Sequence, residues 1–283
     1  MSSTYPIITG FDSMKININD IVLNYEVCGA GEPLILIGGL TANCREWRRM
    51  IPYLEKYFTV YMPENRGAGE TTGWSADFTV EDMANDIARF IVDLNLNRAY
   101  LIGHSMGGAI LQRLCVTHSS LIKAAVIASS FAKFPKASQL YIENTAELLA
   151  AGVTNALTLK TICTRLYGNS CLSHDDFMTS EFDRMLTDPT PQTLEGYQAQ
   201  VKAIDQFDSR QDLSDIQCPV LIVNGTEDLL TPPVLAEELH HRIEHSKLKW
   251  IDQCGHMIPQ EKPEALVQLA MRFFHDVEKN SLA

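Results

Sequence analysis

Residues 103–107 read Gly103-His104-Ser105-Met106-Gly107, a G-x-S-x-G, with Gly108 next. A serine hydroxyl is a poor nucleophile until a base takes its proton and an acid orients that base. The pattern serves this chemistry when it joins a strand to a helix, because the turn then holds the hydroxyl clear of the chain. Both flanks fit: Tyr100-Leu101-Ile102 reads as an apolar strand and Ala109 to Leu114 as a helix. So sharp a turn needs neighbours without side chains, and Gly108 leaves room for the helix to approach. The Met106 N–H is expected to point at a developing oxyanion.

The base and the acid must come from downstream. After the apolar run Val220 to Val223, the loop Asn224-Gly225-Thr226-Glu227-Asp228-Leu229-Leu230-Thr231 puts Asp228 at a strand's C-terminal end, where α/β sheets place functional groups. Leu248 to Asp252 reads as a final strand, and Cys254-Gly255-His256 brings His256 to the same edge. The expected order is therefore Ser105, Asp228, His256. Glu227 is the alternative acid, one residue out of phase, and Asp252 reads as structural. His240, His241 and His245 fall on or after a polar helix and read as solvent-facing, while His104 is expected to pack against the turn. A second oxyanion donor is expected from Ile37-Gly38-Gly39-Leu40-Thr41, where the Leu40 N–H could converge with that of Met106. A plain Gly-Gly turn is the other reading of those residues.

The elements that must position these groups show in the hydrophobic pattern. Met14 to Ile18 and Leu23 to Val27 alternate around Asn19-Asp20 and predict an antiparallel hairpin. Leu34 to Ile37, Phe58 to Met62, Ala99 to Ile102, Ala124 to Ala128 and Val220 to Val223 are short, apolar and rich in Ile, Val and Leu, as suits a parallel sheet covered on both faces. Thr79 to Leu94 carries Met83, Ile87, Phe90, Ile91 and Leu94 on one helical stripe behind a Thr79-x-x-Asp82 capping box. A last helix starts at Pro263 with Leu266, Leu269, Ala270, Phe273, Phe274 and Val277 inward. Strands alternating with helices predict a doubly wound α/β fold.

One stretch breaks the alternation. Residues 131–218 contain no buried strand, and Leu140, Ile142, Leu148, Leu149, Leu159, Ile162, Leu166 and Tyr167 fit short helices. The reading is a helical cap over residues 131–212 inserted into a core of residues 1–130 and 213–283. Phe131, Phe134, Tyr141, Tyr167, Phe177 and Tyr197 are candidate walls of an apolar pocket, although core packing explains each equally well. Asp205, Asp208, Asp212 and Asp215 read as a solvated connection back to the sheet.

At 283 residues the chain is about 1.9 typical domain lengths, the surplus being this insertion. Hydrophobic residues make up 46% and charged ones 20%, enough for a full core. The net charge of −12 comes without a basic stripe, which argues against a nucleic-acid partner. No apolar run is long enough to span a membrane, and Met1 to Pro6 lacks a secretory pattern, so a cytoplasmic protein is expected. Seven cysteines without C-x-x-C spacing argue against a disulfide framework and a zinc ribbon. No cofactor or metal is expected.

Together these residues resemble the α/β-hydrolase family over nearly the whole chain outside the insertion. Gly103-His104-Ser105-Met106-Gly107-Gly108 looks like its nucleophile elbow, and Pro63-Glu64-Asn65-Arg66-Gly67-Ala68-Gly69-Glu70-Thr71 like the turn after its fourth strand. The resemblance implies an eight-stranded, mostly parallel sheet, a Ser105-Asp228-His256 triad and a helical cap. Many members have His-Gly where this chain has Gly38-Gly39, a departure at the oxyanion loop. Ser105 sets the chain apart from members with an aspartate nucleophile. The implied activity is hydrolysis of a small ester or lactone through an acyl-enzyme. Cleavage of a carbon–carbon bond in a β-diketone, or a non-catalytic ligand receptor, are the alternatives.

Overall fold

Alternating apolar and polar residues give β1 (Asp12–Ile18) and β2 (Ile21–Gly29), an antiparallel pair running from Asp12 opposite Val27 to Ile18 opposite Ile21. Asn19 makes the turn at φ 51°, a left-handed conformation that asparagine tolerates. The buried runs form β3 (Glu32–Ile37), β4 (Phe58–Pro63), β5 (Ala99–His104), β6 (Ile122–Ala128), β7 (Val220–Gly225) and β8 (Lys247–Ile251). In the computed structural model, which describes residues 10–153 and 156–281, these eight strands make one sheet in the order β1-β2-β4-β3-β5-β6-β7-β8. The reading of residues 1–6 lies outside the described residues. β2 is antiparallel to β4, and every pair from β4 to β8 is parallel. The order reverses at β3, which lies between β4 and β5. The ends of β3 and β5 therefore mark the topological switch point, beyond which open α/β sheets place their ligands.

Short α1 (Ile51–Leu54), then α2 (Val80–Asp93) and α3 (Met106–Thr117), connect the first strands. The capping box of α2 is formed: Thr79 Oγ1 accepts from Asp82 N–H at 3.2 Å and Asp82 Oδ2 from Thr79 N–H at 2.8 Å. Such a cap contributes about 1 kcal/mol. Between β6 and β7 the chain forms α4 (Lys136–Ala150), α5 (Ala156–Leu166), α6 (Asn169–Leu172), α7 (Asp175–Leu186) and α8 (Leu194–Gln206), here called the helical segment. Its ends meet at a bridge between Lys133 and Asp208, where Ser209 N–H donates to Ala132 O at 3.0 Å. Then follow α9 (Pro233–Arg242), α10 (Ile258–Glu261) and α11 (Pro263–Ser281). Among the described residues no helix is long and apolar enough to cross a membrane.

Successive side chains of the central strands enter opposite cores. Ile35, Ile37 and Leu101 pack with α2, α3 and α9, while Leu34, Leu36 and Ile102 pack with α1 and α11. The first core continues into α4 and α8 through Ile142, Ala146, Tyr197 and Ile204, whereas α5 to α7 build a separate small core on Cys163, Tyr167, Cys171 and Met178. Leu140 and Leu148, among the apolar positions read as helical, point outward. The buried face of α4 follows Ile142, Thr145 and Ala146, with Leu149 packed alongside, and the helical period carries residues 140 and 148 off it. Asp205, Asp208 and Asp215 are exposed, but half-buried Asp212 pairs with Arg113 of α3 at 2.5 Å. All seven cysteines are free thiols, five of them buried.

Candidate active site

Ser105 sits between β5 and α3 at φ 54° and ψ −118°, a conformation that costs a non-glycine residue about 1 kcal/mol or more. The sheet holds it there. Its N–H donates to Ala128 O at 2.9 Å and its carbonyl accepts from Ser130 Oγ at 2.8 Å. The glycines have distinct reasons. A Cβ on Gly103 would strike Gly107 O, one on Gly107 would strike Ile37 O, and one on Gly108 would lie 2.6 Å from Ser130 Cβ. The helix can thus begin against the ends of β3, β5 and β6 only where side chains are missing.

Asp228 lies in the turn after β7, with one carboxylate oxygen fixed by backbone donors. Oδ1 accepts from Leu230 N–H at 2.9 Å and Thr231 N–H at 2.7 Å. Oδ2 accepts from Thr231 Oγ1 at 2.7 Å and faces His256 Nδ1 at 2.9 Å. Burial pushes the Asp228 carboxyl up, but His256 and the Thr231 donors outweigh it and hold it below the ordinary carboxylate value. A carboxylate can only accept, so the His256 proton sits on Nδ1, which also contacts Thr231 Oγ1 at 3.1 Å. Nε2 then carries the lone pair that a general base needs.

The structure thus brings Asp228 and His256 into direct contact and sets both at the sheet edge that carries Ser105. Asp228 is 1% exposed, His256 2% and Ser105 8%, so all three are buried and the serine is the least enclosed. Among the described residues the Ser105 hydroxyl makes no hydrogen bond. Gly39, in the loop after β3, packs against the serine so closely that a Cβ there would lie 3.1 Å from Ser105 Cβ. Asn65 Nδ2 donates to Gly38 O at 2.9 Å and fixes that loop. The Leu40 and Met106 N–H groups have no protein acceptor among the described residues, so both remain available as donors.

The alternatives fall elsewhere. Glu227 points away from His256, and its Oε2 accepts from Asn169 N–H of the helical segment at 2.6 Å. Asp252 lies just beyond β8 and is exposed. His241 and His245 are exposed, but His240 is half-buried because its Nδ1 is engaged by Ser246 Oγ at 2.8 Å. His104 is buried behind the elbow: Nε2 donates to His256 O at 2.9 Å, and Nδ1 lies 2.6 Å from Glu46 Oε1, off the line of the ring N–H. Burial pushes the His104 imidazolium down, yet the Glu46 carboxylate and the His256 carbonyl raise it above the ordinary histidine value. Of the rings read as candidate pocket walls, Phe131, Phe134 and Tyr197 pack in the first core and Tyr167 in the small one, with Tyr141 and Phe177 half-buried beside them. The Tyr141, Tyr167 and Tyr197 hydroxyls bond to Ile162 O, Glu181 Oε2 and Ile142 O. Sequence reasoning passed over Thr231, Asn65 and Glu46. Thr231 alone had a local signal, as a hydroxyl three residues after an aspartate in a loop.

Burial pushes the thiols of Cys171 and Cys254 up, that of Cys171 to about 12.

The same organisation appears in known proteins. The family model of the alpha/beta hydrolase fold matches residues 32–263. An (E)-2-((N-methylformamido)methylene)succinate hydrolase of Acinetobacter baylyi is 28% identical over 252 residues, covering 88% of this chain and 93% of its own. The 3-oxoadipate enol-lactonase 2 of the same organism is 24% identical over 265 residues, 92% of this chain and 97% of its own. Among solved structures, a thermophilic esterase from Thermogutta terrifontis superimposes with a TM-score of 0.81 at 24% identity, covering 94% of this chain and 99% of its own. With the model spanning most of the sequence and the elbow and doubly wound sheet in place, the chain is a hydrolase of the alpha/beta hydrolase family.

Proposed function

We propose that the chain hydrolyses a small carboxylic ester or lactone through an acyl-enzyme on Ser105. The observation that carries the reading is the Asp228 Oδ2 to His256 Nδ1 contact of 2.9 Å, which leaves Nε2 as the base at the edge where Ser105 is held in a left-handed turn. His256 Nε2 takes the Ser105 proton as Oγ bonds to the acyl carbon. The Leu40 and Met106 N–H groups receive the oxyanion, and Asp228 stabilises the imidazolium. The proton on Nε2 then passes to the departing alkoxide as its bond to the acyl carbon breaks. Water, deprotonated by the same nitrogen, attacks the acyl carbon, and as the Oγ–acyl bond breaks the proton passes from Nε2 to Ser105 Oγ, releasing the acid and free Ser105. The serine–histidine hydrogen bond forms in the substrate complex, since such bonds are often loose in free enzymes.

Residues 1–130 and 213–283 form the catalytic core in this reading, and residues 131–212 a cap over it. The choice of ester or lactone is supported by the chemistry in the names of the enol-lactonase and the esterase among the similar proteins. The test is Ser105→Ala against p-nitrophenyl acetate, an enol-lactone and a β-diketone. The expected result is hydrolysis of one of the first two by the wild type, lost on substitution by a factor of about 10⁴ or more. Retained turnover in Ser105→Ala would remove the assignment, and turnover of the diketone alone would redirect it to carbon–carbon cleavage.

A further inference from the structure

The loop that carries His256 is bound to the helical segment by its main chain. His256 N–H donates to Leu166 O at 2.8 Å and Met257 N–H to the same oxygen at 3.1 Å. Glu261, half-buried, accepts from Gly255 N–H on one side and from Gly168 N–H on the other, both at 3.0 Å. Glu227 adds the Asn169 N–H bond. The backbones are in direct contact: a Cβ on Gly168 would lie 2.8 Å from Gly255 N, and one on Gly255 would lie 2.6 Å from Tyr167 C. The Asp228 turn is held from the same side, by Ser138 Oγ on Leu230 O at 2.6 Å and Arg165 Nη1 on Leu229 O at 3.3 Å.

We propose that residues 166–169 are a fixed part of the catalytic framework, holding the His256 loop in register, with Glu227 and Glu261 as the positioning residues that fasten it. This rests on the serine-hydrolase reading above. Lifting this end of the segment as a lid would break the Leu166, Gly168 and Asn169 bonds together. It would also leave the Glu261 carboxylate with only Gly255 among its backbone donors, and unpairing such charge-assisted bonds is costly. Substrate must therefore enter elsewhere, and any displacement of Leu166 moves the backbone of the base.

The test compares Glu261→Ala, Glu261→Gln and Glu227→Ala with the wild type. Two readouts are used: amide hydrogen exchange of residues 163–171 and 252–258, and kcat and KM on p-nitrophenyl acetate. Glu261→Ala is expected to speed exchange in both segments about tenfold or more and to lower kcat about 10- to 100-fold while KM stays within about threefold. Glu261→Gln should recover most of both effects, because its amide oxygen still accepts one N–H. Glu227→Ala, which removes a single bond at the periphery, should show the same pattern to a smaller degree and serves if Glu261→Ala does not fold. Unchanged exchange, a loss confined to KM, or a glutamine variant as impaired as the alanine one would overturn the proposal. A wild type that neither turns over ester nor takes a fluorophosphonate overturns the serine-hydrolase reading instead, and the exchange data still decide whether the segment holds the loop.

Discussion

Ser105 and His256, the nucleophile and base of the proposed function, sit at one edge of one sheet but are held by different parts of the chain. Ser105 is fixed from within the sheet, by Ala128, Ser130 and the backbone of β3, through atoms less than about 30 residues away or on adjacent strands. His256 is fixed by three regions: Asp228 on its ring, His104 on its carbonyl and Leu166 on its N–H. Strain in the first case and a convergence of hydrogen bonds in the second do the same work. Both places admit almost no added atom, but the elbow is held by close backbone packing, whereas the histidine loop depends in addition on the acceptors Leu166 O and Glu261. Its alignment depends on a part of the molecule that contributes nothing to the sheet.

The sharpest way to break that comparison is through the ring contact. Asp228→Asn keeps the shape of the turn but offers an amide to His256 Nδ1, which drives the proton to Nε2 and removes the base. A fall in kcat of about 10⁴ is expected, measured on whichever ester the wild type turns over. A loss of less than about tenfold would mean that another carboxylate orients the ring. Next come the two close glycine contacts. Gly107→Ala presses a methyl into Ile37 O, with backbone on every side, so a loss of about 3 kcal/mol or more in urea unfolding is expected. Gly168→Ala meets Glu227 Oε2 at 2.7 Å and Gly255 N at 2.8 Å. One of those is a side chain that can move, so about 1–2 kcal/mol is expected. Equal costs at the two sites would erase the distinction between a strained elbow and a fastened loop.

The same distinction explains what could be read from the chain. The elbow is legible because its residue types stand in one short run: Gly103, Ser105, Gly107 and Gly108 lie within a single strand-to-helix turn, although the atoms that exclude a side chain at Gly107 and Gly108 belong to Ile37 and Ser130. Asp228 and His256 are legible by position, since each follows a buried strand that reveals itself by composition. The hairpin, the capping box of α2 and the inward stripe of α11 are legible for the same reason. What holds the histidine is not. Leu166 O, Gly168 N–H and Asn169 N–H are main-chain atoms on a segment far along the chain, and no side-chain pattern announces where a backbone group will dock. Glu227 shows the limit well. It stands beside Asp228 in sequence, yet its carboxylate turns to Asn169 because the turn already commits Asp228 to Thr231 and His256. The aromatic residues of the helical segment are ambiguous in sequence, since ring types suited to a pocket wall are equally suited to a core.

His104 joins the two regions, and it sharpens the comparison through pH. It belongs to the elbow by sequence and to the histidine loop by its bond to His256 O. Burial opposes its charged form, but the Glu46 carboxylate raises its folded pKa above the ordinary value. The folded state therefore keeps a proton that the unfolded chain loses. The resulting stability is fully present below about pH 6.5, the unfolded value, and is lost as pH rises through the folded one. Urea unfolding of the wild type should give a midpoint that declines as pH is raised from about 6 to about 9. Glu46→Gln takes away the charge that opposes burial, so its midpoint should be flat or rise slightly over the same window. A slope shared by both proteins would place the titration on another group. A flat wild type would mean that the His104 proton is not retained on folding, and the tie from the elbow to His256 would then be a neutral hydrogen bond, weaker than the carboxylate-held bonds on the other side of the loop.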